Sequence, residues 1–244
     1  MNPFEKHNIE HLSPSSLRLY RDQPAAWVVK YLFAVKDDAG PAAWRGLAVE
    51  AGLDTLLFGG SRHAALAVTE RAFEEKAQGL ADDKTVKERA ALPEFLKQAA
   101  DVAARHGQPL FRQKRVQVAL DGIEVPLIGF LDYEWPSYGI DLKTTMRLPS
   151  EPSPAHVEQM AVYMKATGKP FWLAYVTPKK FATYEITESM AAAAWLRVAQ
   201  GADAIRRMLT VSETAHDAAR LFAPDFSSFY WSPPMIEKAQ EIYR

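Results

Sequence analysis

Two aspartates and a lysine stand on neighbouring runs of apolar residues, in Gly129-Phe130-Leu131-Asp132 and Ile140-Asp141-Leu142-Lys143. Side chains alternate along a strand, so Asp141 and Lys143 share a face, with Cα atoms roughly 6.6 Å apart. If residues 136–139 form a four-residue turn, Glu134 pairs with Asp141 and Asp132 with Lys143, placing all four on one face. Crowded carboxylates repel unless a cation lies between them, and oxygen donors select a hard ion such as Mg²⁺ or Mn²⁺. A lysine two residues from such a ligand can hold an attacking water or stabilise charge on a phosphate. That chemistry is metal-assisted phosphodiester cleavage. A solvated hairpin with a cross-strand Asp–Lys pair has the same spelling, and such a pair is worth little energetically.

Further residues add weight. Glu50 sits in Arg45-Gly46-Leu47-Ala48-Val49-Glu50, inside an otherwise apolar helix. Brought to the sheet it is a third carboxylate, although Asp54 four residues on also fits a plain wet stripe. In His156-Val157-Glu158-Gln159-Met160-Ala161-Val162-Tyr163, Gln159 and Tyr163 stack on one helical face. They can bond a phosphate or position the lysine, and they equally suit a buried tyrosine capped by a glutamine.

The elements that must carry these residues are readable. Ser13-Pro14 starts a helix that Pro24 interrupts. Residues 41–58, 61–78 and 83–106 read as helices, the first ended by Gly59-Gly60, and the run Lys84-Thr85-Val86-Lys87-Glu88-Arg89 reads as a solvated charged face. Alternation over 116–120 and 123–133, joined by Asp121-Gly122, predicts a hairpin. A short strand over 140–144, a helix over 154–167, strands over 171–176 and 183–186, and helices over 188–210 and 213–222 follow. The aromatic stretch 224–234 reads as irregular chain pinned to the body, because four exposed rings would make a large apolar patch. The order predicts an α/β fold, a mixed central sheet with helices packed around it.

Composition bounds the rest. The 244 residues suit one domain, with an N-terminal helical part near 12–106, a sheet-and-helix core near 112–186 and C-terminal additions over 188–244. Hydrophobic residues at 48% suffice for a sizeable core. The net charge of -1 means that any polyanion must be met by local basic patches. There is no cysteine, which excludes disulfides, thiolate zinc sites and Cys-ligated iron–sulfur clusters and fits a reducing cytoplasm. No apolar run approaches the ~18–20 residues of a membrane span.

Taken together, these motifs resemble the PD-(D/E)XK nuclease superfamily, in its RecB-like and lambda-type phage exonuclease branch. The resemblance runs in order over residues 12–186: the helix from Leu12-Ser13-Pro14-Ser15-Ser16-Leu17 to Pro24-Ala25-Ala26-Trp27, then Arg45-Gly46 to Glu50, Gly129 to Asp132, Ile140-Asp141-Leu142-Lys143-Thr144-Thr145, and Gln159 with Tyr163. It implies a restriction-endonuclease-like core and a Mg²⁺- or Mn²⁺-dependent DNA exonuclease of recombination, repair or phage DNA processing, in a bacterial cytoplasm. Glu50, Asp132, Asp141 and the main-chain carbonyl of Leu142 would hold the metal. Lys143 would orient water, Gln159 and Tyr163 would support the site, and Arg45, Arg147, His156 and Lys165 would contact DNA. A single-strand annealing or recombination protein is the implied partner, and a closed ring of subunits would suit a processive enzyme. Two departures stand out. Position 50 is Glu where RecB-type domains usually carry His, and Gln23 stands where iron–sulfur members have a cysteine. A binding protein without catalysis, or a metal-dependent hydrolase of RNA or nucleotides, would share the same motifs.

Overall fold

The computed structural model describes residues 1–36 and 39–243. Three helices open it: α1 (Pro3–Lys6), α2 (Pro14–Asp22) and α3 (Pro24–Tyr31). Ser13 caps α2 by accepting the Ser16 N–H at 3.1 Å, and Pro24 starts α3 because a proline lacks the N–H that a continuing helix needs. A helical layer follows: α4 (Pro41–Leu57), α5 (Arg62–Ala77), α6 (Asp83–Ala90) and α7 (Leu92–Ala103). The single helix expected over 83–106 is two, because Pro93 restarts the chain after Ala91.

The sheet comprises β1 (Phe111–Leu120), β2 (Ile123–Glu134), β3 (Gly139–Thr144), β4 (Phe171–Val176) and β5 (Phe181–Glu185), in that spatial order. α8 (Pro154–Thr167) crosses between β3 and β4, which pair in parallel, while the other pairs are antiparallel. α9 (Glu188–Val211), α10 (Ala215–Ala219) and α11 (Pro233–Ile242) complete the chain. This is the expected mixed sheet with helices around it. Among the described residues no helix is long and apolar enough to cross a membrane.

Two core layers sandwich the sheet. One holds Leu127 and Leu131 of β2, Phe171, Leu173 and Tyr175 of β4, and Met160 and Tyr163 of α8. The other holds Val49 and Leu53 of α4, Phe73, Phe95, Tyr133, Ile140, Leu142, Ala174 and Val176. Strand β4 alternates cleanly between them, as the pleat requires. Strand β2 does not: Leu131 belongs to the first layer and Tyr133, two residues on, to the second. The strand therefore turns over at Asp132. Across from it, between the pairs Arg112↔Tyr133 and Lys114↔Leu131, Gln113 sits at φ 46°, where side chains are strained.

β2 and β3 pair through Tyr133↔Ile140 and Glu134↔Gly139 and then part, so the sheet forks. The turn is one residue earlier than expected: Trp135 N–H donates to the Tyr138 carbonyl at 2.8 Å, and the two rings stack at 5.2 Å. One step beyond the ladder, Asp132 comes opposite Asp141 rather than Lys143. Glu134 leaves the group: Lys114 at 2.7 Å and Lys169 at 2.5 Å hold it.

The aromatic tail is pinned, through a helix that its irregular look conceals. Trp231 is buried, and Met235 and Ala239 of α11 join the first core layer. Phe229 stays 82% exposed, against Tyr230.

Candidate active site

The fork gives the site its shape. Asp132 lies where β2 leaves β3, and its Oδ2 accepts the Leu142 N–H at 2.8 Å. Asp141 and Lys143 follow on β3, with Lys143 Nζ 2.6 Å from Asp141 Oδ2. Asp141 is 0% exposed, and apart from this ion contact its oxygens have no hydrogen-bond partner. A buried ionised carboxylate with unmet acceptor capacity is costly unless a cation completes it.

Glu50 reaches the fork from the opposite layer. Asp54, one turn further along α4, accepts Tyr133 Oη at 3.2 Å and pairs with Arg112 of β1. The acidic stripe of α4 thus faces the sheet rather than open solvent. Gln113 Nε2 donates to Glu50 Oε2 at 3.2 Å, so the strained residue across from Asp132 aims the third carboxylate.

From the α8 side, Gln159 Nε2 donates to Tyr163 Oη at 2.6 Å, and Tyr163 Oη donates to the Phe130 carbonyl at 2.7 Å. A Cβ at Gly129 would lie 2.4 Å from the Tyr163 ring, so glycine permits this approach. Tyr163 is a brace on the backbone of β2. A cavity of about 560 Å³ opens over the fork, lined by Glu50, Asp132, Lys143, His156, Gln159 and Tyr163 among others.

The electrostatics follow from crowding out of water. Burial, then the Asp141 charge, pushes Glu50 up to about 7. Burial, with the neighbouring carboxylates, lifts Asp132 well above the usual range, and burial lifts Asp141 against the pull of Lys143. Burial opposes the charge on Lys143, but Asp141 and Asp132 outweigh it and hold the ammonium above its ordinary value. Burial, with Lys143 and Arg18 nearby, brings His156 down to about 3, so its imidazole is neutral at pH 7.

Among the described residues, no group of three His, Asp or Glu side chains forms a ready-made metal cage. The donor set still fits a hard divalent ion. Mg²⁺ keeps several waters and is typically bound through one or two carboxylates, so a closed protein cage is not its signature.

A family model of the PD-(D/E)XK nuclease superfamily matches residues 11–228. The chain belongs to that superfamily. A crystal structure from Eubacterium rectale, provisionally described as an exonuclease, has TM-score 0.58 and 16% identity, covering 89% of this chain and 85% of that one. LHK-Exo in complex with dAMP has TM-score 0.33 and 14% identity, covering 74% and 99%. A comparison with curated proteins found no match. The mixed sheet and its helices are the restriction-endonuclease-like fold of PD-(D/E)XK nucleases.

Within this nuclease, the residues expected at DNA part ways. Arg45 is not available to a phosphate: it is 4% exposed, pairs with the buried Glu88, and donates to the Thr144 side chain at 3.2 Å and its carbonyl at 3.0 Å. Glu88 is accordingly not part of a solvated face. Lys165 lies over the Trp195 ring and does not line the cavity. His156 does line it, but as a neutral ring whose Nδ1 is 2.7 Å from Tyr175 Oη. Arg147 is exposed in an adjoining groove of about 700 Å³ with Lys180 and Tyr184.

Sequence reasoning missed the rim. His11, Ser13, Ser15 and Arg18 line the cavity, as does Gln113. Leu12 brings the first of these there: its N–H donates to the Pro126 carbonyl at 3.0 Å, and the Ile128 N–H donates to its carbonyl at 2.8 Å. Ser13-Pro14 signals a helix start, but nothing local says that this helix begins beside β2.

Proposed function

We propose that the protein is a Mg²⁺- or Mn²⁺-dependent nuclease that hydrolyses DNA phosphodiesters, acting as an exonuclease. The observation that carries the reading is Asp141, fully buried, with Oδ2 ion-paired to Lys143 and Oδ1 without a partner, in the fork that Asp132 and Glu50 also enter. Asp132, Asp141 and Glu50 would hold the divalent ion, joined by the Leu142 main-chain carbonyl. When bound, that ion supplies Lewis-acid charge neutralisation and a lower pKa for water.

The chain's own groups do the rest. Lys143, kept protonated by its carboxylates, donates to the attacking water or to a non-bridging phosphate oxygen, where negative charge grows in the transition state. Gln159 and Tyr163 hold β2 at the correct height beneath the substrate. Neutral His156 offers a hydrogen bond without adding charge. Arg18, Ser13 and Ser15 on the rim, and Arg147 in the adjoining groove, are placed to meet neighbouring phosphates.

The test is a digest of end-labelled linear duplex, single strands and closed circles with Mg²⁺ or Mn²⁺. Linear DNA should be degraded and closed circles spared, and Asp141→Ala and Lys143→Ala should each abolish the activity. Cleavage unchanged in both variants would reject the site, and degradation of RNA alone would reject the DNA substrate.

A further inference from the structure

The cavity carries two side chains that phosphodiester hydrolysis does not use. Phe130 is 53% exposed and Leu47 52% exposed, and both line the same cavity as Glu50, Asp132 and Lys143. Each is about half exposed, and together they give the charged cavity an apolar contact face that a bound ligand can cover. The Phe130 backbone is held in place. Tyr163 Oη fixes its carbonyl at 2.7 Å, and Gly129 admits the Tyr163 ring beneath. Its cross-strand neighbour is Arg115, exposed and bonded to Gln117 Oε1 at 3.1 Å.

A phosphate drawn to the carboxylate–lysine centre brings its own bases to this wall. A paired base in a duplex keeps both faces stacked on neighbours, whereas an unpaired base presents an apolar face. Aromatic side chains beside a cationic track are the general means of holding such strands. Resting on the nuclease reading above, we propose that Phe130 is a stacking platform for an unpaired nucleobase next to the scissile phosphate. Leu47 lines the same cavity, and Arg115 supplies a positive charge beside Phe130 on the neighbouring strand. The strand entering the centre is thereby single-stranded at the point of cleavage, and Phe130 is a specificity-determining residue.

The test is a cycle in which protein and substrate are altered together. A series of single-stranded oligonucleotides carries one abasic position, walked along the strand, and kcat/KM is measured with Mg²⁺ for the wild type, Phe130→Ala and Phe130→Trp. One abasic position should lower wild-type kcat/KM by about 5- to 150-fold, the range that loss of one stacked base implies. Phe130→Ala should lower it similarly on the intact strand and lose nothing more at that abasic position. Phe130→Trp should retain the wild-type rate and the same sensitive position. A Phe130→Ala enzyme that keeps the wild-type rate, or whose loss adds in full to the abasic loss, overturns the platform and leaves the nuclease standing. A wild type that cuts no strand with Mg²⁺ or Mn²⁺ overturns both.

Discussion

At the residue scale, three carboxylates and a lysine share a space that suits none of them alone. Glu50 is raised from 4.5 to about 7, and Asp132 and Asp141 rise with it. Carboxyl groups raised on folding favour the folded state while protonated, below the unfolded value near 4.5, and that contribution is lost as pH rises through the folded value. The metal-free protein should therefore lose melting temperature between pH 5 and 8. Added Mg²⁺ should raise the melting temperature more at pH 8 than at pH 5; equal shifts at both pH values would count against a cation at these carboxylates. Gln113 gives a second case. Its φ of 46° costs on the order of 1–2 kcal/mol for a residue with a Cβ, and its amide holds Glu50. Gln113→Gly should keep or raise the melting temperature and lower kcat, which thermal melts and steady-state rates would separate. Asp141 and Lys143 were legible as a pair because period-two alternation places side chains without any knowledge of the fold, whereas Asp132 joins them where β2 departs from that alternation, opposite Asp141 and not Lys143. Gln113 was not legible, because a left-handed residue inside a strand leaves no mark in its own letter. Arg45 misled for a related reason: a basic residue near an acidic motif looks like a phosphate contact until Glu88, 43 positions away, proves to be its partner.

At the element scale, the Arg45 guanidinium ties α4, α6 and β3 together through Glu88 and Thr144 and stacks over Phe95 of α7. The same helix carries Glu50, and the same strand carries Asp141 and Lys143. Removing one partner of a buried ion pair typically costs about 3–5 kcal/mol, whereas apolar replacement of both is often near neutral. Arg45→Ala should therefore lower the melting temperature strongly. Arg45→Met with Glu88→Leu should recover much of it yet leave kcat low, since the hold on the Thr144 carbonyl is gone. Full recovery of both would show that the contact only stabilises. Most elements were legible from caps and alternation, and the Asp121-Gly122 hairpin was too. The misses have physical causes. β1 begins at Phe111, but Arg112 to Arg115 line an exposed edge and show no apolar period. The β2–β3 turn was placed by its Pro-Ser-Tyr-Gly composition, whereas stacking of Trp135 on Tyr138 set it one residue earlier.

At the scale of the whole molecule, the C-terminal segment closes the core. Trp231 packs edge-on against Phe226 at 5.0 Å, and α11 lays Met235 and Ala239 into the layer beneath the sheet. Trp231→Ala should cost about 3–5 kcal/mol and speed proteolysis of the tail. Phe229→Ala, at a ring 82% exposed, should change neither. The helix was hidden because the Pro233-Pro234 pair, which opens α11, also ends an aromatic run that reads as loop.

The fork has a consequence for motion. β2 is zipped to β1 along nearly its whole length and β3 to β4 throughout, while β2 and β3 share two residue pairs. Such a sheet is two cooperative units joined by a short seam, and units of this kind open separately in the native state. Amide hydrogen exchange should then resolve two protection classes, one for β1–β2 and one for β3–β4. The Leu142 amide, bonded to Asp132 across the seam, should report their parting, and a cation or a nucleic acid strand bridging the two sides should slow its exchange more than that of amides within either unit.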